Sequence, residues 1–272
     1  MKEGMYMKNK SYDLISDVHL EEISFPHNSW SLDTYVSSIL PQTPSSTLVF
    51  AGDFGLYNDQ TIEFLKLLKQ AYSHILYVYG NNDIKVRIQD QPLIYRDAYA
   101  RVKDFEEQVK EIENVIHLDG QVVEIDGIRY GGSNLFYDFD SMKTHFAMTK
   151  QECERLWKHL KLHLKHKGYI DDPHAFAEHE KEKLRNVVPH ADVIVTHAPP
   201  DYFMDTVEDY AGFYRFDGEE FLPYLEGKVW CFGHQHQRMT NRLHHGCRFY
   251  NASYVGSHHP RIVTIHLEKA LN

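Results

Sequence analysis

The chain has 272 residues, 42% of them hydrophobic and 25% charged, which excludes a largely disordered protein and suffices for a substantial buried core. No apolar stretch approaches the roughly 18 residues of a membrane span, and the start MKEGMYMKNK lacks a signal-peptide core, so we expect neither a membrane span nor export. The formal net charge of −10 argues against broad binding to nucleic acid or an anionic membrane, so nucleic acid is expected only as a small nucleotide.

The counts of cysteine and histidine indicate the redox compartment and the chemistry of the protein. The three cysteines form a sparse, odd set without metal-type pairing, which suits the reducing cytoplasm. Nineteen histidines are an unusually large number for this length. Because histidine is the commonest metal ligand and titrates near neutral pH, this excess points to metal binding or acid–base chemistry.

Five short apolar runs rich in β-branched and aromatic residues predict strands. They cover residues 12–15, 47–51, 75–79, 192–196 and 228–232. Near-continuous apolar runs imply burial on both faces, so helices or a second sheet should cover these strands. The helical period over 58–71, between the second and third runs, predicts a βαβ unit with parallel pairing and a right-handed crossover.

The later chain has a different pattern. Strand-like runs in 114–136 are broken by Asp119-Gly120 and Asp126-Gly127, the turn chemistry of hairpins, and 249–267 also resembles strands. Residues 141–186 predict two or three helices that cover a face or form a lid. The expected fold class is α/β (α+β), as a single domain over 1–272 with this helical insert.

Polar motifs follow all five apolar runs directly. In chain order they are SDVH, GDFG, GNND, THAPP and GHQH. Because the sites of open α/β sheets form outside the carboxyl ends of the strands, we expect these motifs to meet at one edge. They contribute two carboxylates, one amide and four imidazoles: Asp17, Asp53, Asn81, His19, His197, His234 and His236.

This set is too large for one metal ion but suits two. If Asp53 bridges the ions, each receives four protein bonds, and a shared hydroxide still leaves about one open position on a six-coordinate ion. Ions roughly 3.5–4 Å apart suit in-line displacement at phosphorus. The alternative is a set of strand-end turns, but turns do not require four histidines. A hydride-transfer enzyme or a serine hydrolase would need a Gly-rich fingerprint or a G-x-S-x-G motif, and the sequence has neither.

The ordered series DVH, GDFG, GNND, THAPP and GHQH resembles the motifs of the calcineurin-like metallophosphoesterases, over nearly the whole sequence. The resemblance implies a four-layer αββα sandwich, in which two mixed β-sheets lie between layers of helices. It also implies two divalent metal ions, with manganese, iron and zinc among the usual identities. It assigns one ion to Asp17, His19, Asp53 and His236, and the other to Asp53, Asn81, His197 and His234.

One position departs from the commonest family pattern. Many members have a histidine after the GN of the third motif, which contacts substrate phosphate and is proposed to protonate the leaving group. Asn82 occupies that position here, and an amide can hydrogen-bond a phosphoryl oxygen but cannot supply a proton at neutral pH. General acid catalysis typically contributes ~10²–10⁴-fold, so we expect the rate to depend steeply on leaving-group pKa. The role of Asp83, which would orient the missing histidine, is left open.

Other residues are weaker candidates. His258 follows a late strand region and Arg215 lies in the loop after THAPP, so both are candidates for binding substrate. His159, His163 and His166 have helical spacing that could form a metal site. The surrounding KHLKLHLKHK favours instead a solvated basic helix face.

We therefore expect a metal-dependent phosphoesterase that hydrolyses a phosphomonoester or phosphodiester by attack of a metal-bridging hydroxide. Asp53 and Asn82 are the predicted catalytic residues, and the partner is a phosphoester substrate. The alternative is a noncatalytic scaffold that keeps the fold. Metal identity, the choice between monoester and diester, and oligomeric state stay open at this point.

Overall fold

Two mixed β-sheets lie face to face, and the five apolar runs of the sequence are divided between them. The structure is a computed structural model that describes residues 10–23, 31–86, 94–136, 138–201, 215–236, 239–253 and 260–267. The first sheet has the order β11-β1-β2-β3-β4, with β11 antiparallel to β1 and the other pairs parallel. Its strands are β1 (Lys10–Ile15), β2 (Thr47–Phe50), β3 (His74–Tyr77), β4 (Val115–His117) and β11 (Val263–Leu267).

The second sheet has the order β5-β6-β7-β8-β10-β9. Its central pairs are parallel, and the outer pairs β5-β6 and β10-β9 are antiparallel. The strands are β5 (Val122–Ile125), β6 (Ile128–Ser133), β7 (Val193–Thr196), β8 (Val229–Phe232), β9 (Met239–His244) and β10 (Cys247–Asn251).

Side chains of each central strand alternate between two buried layers. In β2, Val49 joins the core between the sheets, whereas Leu48 and Phe50 pack toward the helices. The hydroxyl of Tyr12 and the thiol of Cys231 meet between the sheets, 3.1 Å apart. This burial on both faces explains the near-continuous apolar runs and confirms the predicted four-layer arrangement.

The outer layers consist of helices on both faces of the stacked sheets. Phe64 packs on Phe50 of the first sheet, and Phe105 packs on Tyr77. The helices are α1 (Leu32–Ile39), α2 (Asn58–Leu68), α3 (Ala98–Val109), α4 (Phe139–Phe146), α5 (Lys150–His159), α6 (Leu162–Lys165) and α7 (Pro173–Val187). Of these, α7 packs on β6 of the second sheet.

The predicted βαβ unit with parallel strands is confirmed, but its helix and its second strand both end earlier than predicted. β2 and β3 are parallel and joined by α2, which ends at Leu68 rather than at residue 71. β3 ends at Tyr77 rather than at residue 79, because the backbone N–H of Tyr79 leaves the first sheet and donates to the Asn134 side chain over 2.8 Å. That bond turns the following GNND motif toward the second sheet.

One of the two predicted hairpin turns is wrong. Asp126 and Gly127 have φ values of 52° and 71° and join β5 to β6 as an antiparallel hairpin, as expected. Asp119-Gly120 instead connects β4 of the first sheet to β5 of the second. A turn dipeptide specifies a local reversal of the chain, but strand pairing depends on partners far away in sequence.

The helical insert differs from its prediction in two respects. Residues 138–201 contain four helices, α4 to α7, rather than two or three. Lys161 has a φ of 57°, which separates α5 from α6 and removes the continuous helix on which His159, His163 and His166 were expected to share a face. His166 is fully buried, so the expectation of a solvated face is wrong there. Its ring stacks on Trp157 with centroids 5.8 Å apart.

Two further observations bear on the expectations from composition. Cys153, Cys231 and Cys247 are all buried and free of disulfides. Among the described residues, no helix combines the length and apolar character needed to span a membrane.

Burial of His166 makes the stability of the fold depend on pH. Burial lowers the pKa of His166 to about 3, whereas an unfolded histidine has a pKa near 6.5. Between these two pKa values, His166 is protonated in the unfolded chain and neutral in the folded chain. Acidification from about pH 6.5 toward pH 3 should lower the free energy of unfolding by about 1.4 kcal/mol per pH unit.

Urea unfolding of the chelator-treated protein at several pH values measures this effect. His166→Phe keeps an aromatic ring against Trp157. In this variant the acid limb, the fall in the free energy of unfolding between about pH 6.5 and pH 3, should be shallower by about 1.4 kcal/mol per pH unit. His159→Phe, at an exposed position of the same insert, should leave the limb as in the wild type. An unchanged acid limb in His166→Phe would contradict the prediction.

Candidate metal centre

The carboxyl-terminal ends of five strands meet at a single edge of the stacked sheets. The ends of β1, β2 and β3 come from the first sheet, and those of β7 and β8 come from the second. Hydrogen bonds tie the two sets together: the backbone N–H of His234 donates to Asp17 Oδ1 over 3.0 Å, and His197 Nδ1 lies 2.8 Å from the carbonyl oxygen of Ala51. The motifs therefore meet at one edge, as expected, but strands of two sheets rather than one contribute to it.

Six of the seven predicted ligands fall into two groups of three. The ligand atoms of Asp17, His19 and His236 all lie within 4.8 Å of one another, and so do those of Asp53, His197 and His234. The amide oxygen of Asn81, the seventh residue, lies 3.2 Å from His197 Nε2. Each group therefore combines a carboxylate with imidazoles, a donor set that suits a divalent transition-metal ion.

Asp53 lies between the two groups. Its Oδ2 is 3.6 Å from His19 Nε2 and 3.5 Å from His197 Nε2. One carboxylate oxygen therefore faces imidazoles of both groups. This is the position that a ligand shared by two ions would need.

Several of these residues adopt a backbone conformation that is unfavourable for side chains other than glycine. Five of them have φ values between 48° and 69°: Asp17, His19, Asp53, His234 and His236. The left-handed conformation costs roughly 1–2 kcal/mol per residue. Such strain is found where the surrounding structure holds a side chain in a functional position.

The electrostatics of the site favour positive charge. Burial by itself would lower the pKa of His197, but the carboxylate of Asp53 outweighs it and raises that pKa to about 9. Burial likewise opposes the shift at His19, whose pKa is raised to about 9 by Glu21 and Asp53. The neighbouring histidines, in turn, hold the pKa of Asp53 well below its usual range despite burial. The carboxylates therefore attract cationic charge, which protons supply here and which metal ions would supply instead.

Asp83 holds the Asp53 loop against the Gly80 loop, a role that the sequence left open. It accepts the backbone N–H groups of Asp53, Phe54 and Gly80 over 2.8, 2.7 and 2.7 Å. Burial and the charge of Asp53 raise the pKa of Asp83 to about 7. The sequence placed this residue next to a motif but could not show which backbone groups it would bind.

Arg101 is a supporting residue that sequence reasoning missed entirely. It lies in α3 and is buried, and its guanidinium donates to the carbonyl oxygens of Gly55 and Asn82 over 2.7 Å each. Its hydrogen bonds thereby connect the loop after β2 to the loop after β3. No local sequence signal identifies it, because its partners lie far away along the chain.

The three residues predicted to contact substrate lie in different surroundings. Asn82 is buried, and its Nδ2 donates to Asp53 Oδ2 over 2.5 Å. Arg215 is also buried, with 1% of its surface exposed, so its guanidinium is not displayed on the outer surface. His258 lies outside the described residues.

Comparison with known proteins adds a family context. A family model described as calcineurin-like phosphoesterase matches residues 11–238. The uncharacterized protein L509 of Acanthamoeba polyphaga mimivirus is 24% identical over 194 residues, which cover 68% of this chain and 66%, just under two thirds, of the viral protein.

Two solved structures share the fold. The phosphopantetheinyl hydrolase PptH from Mycobacterium tuberculosis aligns with a TM-score of 0.71 and 18% identity, over 96% of this chain and 98% of its own. The protein TT1561 of Thermus thermophilus aligns with a TM-score of 0.51 and 11% identity, over 95% of this chain and 99% of its own. These similarities support the two-sheet architecture.

Gly80 provides a test of how closely the loops that carry Asp53 and His197 are packed. A Cβ at this position would lie 2.5 Å from the backbone nitrogen of Asp53 and 2.7 Å from Cε1 of His197. Gly80→Ala should therefore displace residues of both loops and weaken binding of Mn²⁺ by ~10–100-fold. Titration calorimetry with MnCl₂ measures the change.

Gly227→Ala is the matched control. Gly227 has a φ of 74°, so alanine there should cost roughly 1–2 kcal/mol of stability. No atom lies within 4 Å of the added Cβ, so this variant should keep its Mn²⁺ affinity. Equal Mn²⁺ affinities for Gly80→Ala and the wild type would contradict the proposed packing.

Proposed function

We propose a specific reaction for this chain, which belongs to the calcineurin-like phosphoesterase family and is a metal-dependent phosphoester hydrolase. The family match confirms the resemblance that the motif series indicates. The proposed reaction is hydrolysis of a phosphomonoester or a small phosphodiester by direct attack of water at phosphorus. The observation that carries this proposal is the position of Asp53 Oδ2, within 3.6 Å of one imidazole from each ligand group.

The donor set fits two divalent ions. Asp17, His19, Asp53 and His236 would hold one ion, and Asp53, Asn81, His197 and His234 would hold the other. When bound, such ions would lower the pKa of the attacking water and neutralise charge on the phosphoryl oxygens. Imidazole and carboxylate ligands suit manganese, iron and zinc alike, and we propose manganese as the first ion to test.

Asn82 is the proposed contact to the substrate phosphoryl group. Its amide N–H now bonds Asp53 Oδ2, the oxygen that faces both imidazole groups. If Asp53 held metal ions, its carboxylate would bind the amide less strongly, and the Asn82 N–H would be available to a phosphoryl oxygen. Because an amide supplies no proton, the leaving group would depart as an anion.

The acidic chain favours a small phosphoester over a long nucleic acid as substrate. The name of PptH suggests phosphopantetheinyl conjugates as a further class to try, beside nucleotides and small phosphate esters. A cytoplasmic location, one domain over 1–272, and substrate contacts from His258 and Arg215 remain predictions.

Replacing the shared carboxylate tests the two-ion arrangement directly. Asp53→Asn should lower hydrolysis of p-nitrophenyl phosphate with Mn²⁺ by at least ~100-fold and reduce bound metal from about two equivalents to about one or fewer. Elemental analysis of the dialysed protein gives the metal content. Asp33→Asn, at an exposed carboxylate of α1, should change neither quantity. Full turnover by Asp53→Asn would refute the arrangement.

The absence of a histidine at position 82 predicts a particular leaving-group dependence. Across a series of aryl phosphates, log(kcat/KM) should fall steeply as the pKa of the phenol rises, because no proton reaches the departing oxygen. Asn82→His should flatten that slope and accelerate the poorest leaving groups most. A flat slope in the wild type would show that another group supplies the proton. A uniform gain in Asn82→His at unchanged slope would contradict the assignment of position 82 as the place of the missing proton donor.

A further inference from the structure

Lys85 lies directly beside the residue that replaces the expected histidine. It follows Asn82 by three positions, and its ammonium group donates a hydrogen bond to Asn82 Oδ1. The same Asn82 side chain donates through Nδ2 to Asp53 Oδ2. A continuous chain of hydrogen bonds therefore runs from the Lys85 ammonium to the oxygen that lies between the two ligand groups.

The backbone around Lys85 is held from two sides. Arg101 of α3 donates to the carbonyl oxygens of both Asn82 and Lys85. On the other side, the backbone N–H of Val86 donates to the carbonyl oxygen of Lys165 over 2.8 Å, in the helical insert. The ammonium group thus extends from a fixed point of the fold rather than from an exposed loop.

The charges around Lys85 are those of an anion-binding position. Its side chain is half-buried, and burial lowers its pKa, whereas the negative charge of Asp53 acts in the opposite direction. Lys165 and Arg101 add positive charge nearby, and Glu21 adds negative charge. If divalent ions neutralised Asp53, Lys85 would lose part of its counter-charge, which an incoming phosphate would restore.

The hydrogen-bonding capacity of both side chains agrees with this assignment. An ammonium group has three N–H donors, and the bond to Asn82 uses one of them. An amide offers a donor and an acceptor on the same side chain, so Asn82 can bind an anion through Nδ2 while holding an ammonium through Oδ1.

We propose that Lys85 is a substrate-contacting residue whose Nζ donates to a non-bridging oxygen of the phosphoryl group, with Asn82 positioning the ammonium. The inference rests on the proposed phosphoester hydrolysis and adds a residue that no motif of the sequence includes. Lys85 acts here through its charge and hydrogen bonds. It leaves the departing group without a proton donor.

Three variants of the Mn²⁺-loaded protein test the proposal. Lys85→Met removes the charge and keeps much of the side-chain volume, Lys85→Arg keeps the charge, and Lys228→Met is the control. Lys228 is also half-buried and donates to a backbone carbonyl, that of Ala191, but it precedes β8 and so lies at the opposite end of that strand from the site. The measurements are kcat and KM for aryl phosphates, the inhibition constant of inorganic phosphate, and metal content.

Lys85→Met should lower kcat/KM by ~10²–10³-fold, the usual effect of removing one donor to a developing oxyanion. It should weaken inhibition by phosphate by about tenfold, the effect of losing one charged contact. Metal content and the leaving-group slope should stay as in the wild type. Lys85→Arg should recover part of the loss, and Lys228→Met should match the wild type in all four quantities.

Three results would overturn the assignment. The first is wild-type kcat/KM and phosphate inhibition in Lys85→Met, while Asp53→Asn remains inactive. The second is loss of metal together with activity, which would place Lys85 in support of the metal centre. The third is a steeper leaving-group slope in Lys85→Met, which would make the ammonium a proton donor.

Failure of the proposed function is distinguishable from these results. If the wild type bound two equivalents of Mn²⁺ but hydrolysed no phosphoester, calorimetric titration with inorganic phosphate would still compare wild type and Lys85→Met. Weaker phosphate binding by the variant would then support the Lys85 contact, and equal binding would refute it.

Discussion

The electrostatic balance around Asp53 is the constraint on which the rest of the site depends. Its carboxylate and that of Asp17 are buried almost completely, in a place where ionised groups are costly unless opposite charge lies close by. Imidazoles from both sheets supply that charge, and they reach it only because five strands end at the same edge. The stacking of the sheets therefore brings together the imidazoles that stabilise the buried carboxylates. Divalent cations would neutralise these carboxylates more fully than protonated imidazoles do.

The loops around this centre are held mainly by side chains outside the ligand set. Asp83 accepts hydrogen bonds from backbone N–H groups of the loops that follow β2 and β3, and Arg101 donates hydrogen bonds to carbonyl oxygens of the same loops. The carboxylate therefore binds backbone donors of these two loops, and the guanidinium binds backbone acceptors of the same two loops. This support helps to explain how Asp53 can persist in a left-handed backbone conformation.

The sequence predicted the parts of the fold that depend on local pattern. Five buried strands each correspond to an apolar run, and each of the seven candidate ligands follows such a run. These strands and the candidate set could therefore be predicted together with the family resemblance. Asp119-Gly120 was misread because the partner of a strand is chosen by the whole fold. His166 was misread because Lys161 interrupts the helix, a break that the spacing of histidines does not reveal. Arg101 and Lys85 escaped notice because their partners come together only in the folded chain.

The order of the strands has a consequence for how the protein is made. The first ligand group combines Asp17 and His19 with His236, and the imidazoles of His19 and His236 meet across 217 positions of sequence. The second group likewise joins Asp53 to His197 and His234. Neither group can form on a growing chain before the residues after β8 have left the ribosome. A metal ion that needs either group could therefore bind only after the chain has been synthesised beyond β8.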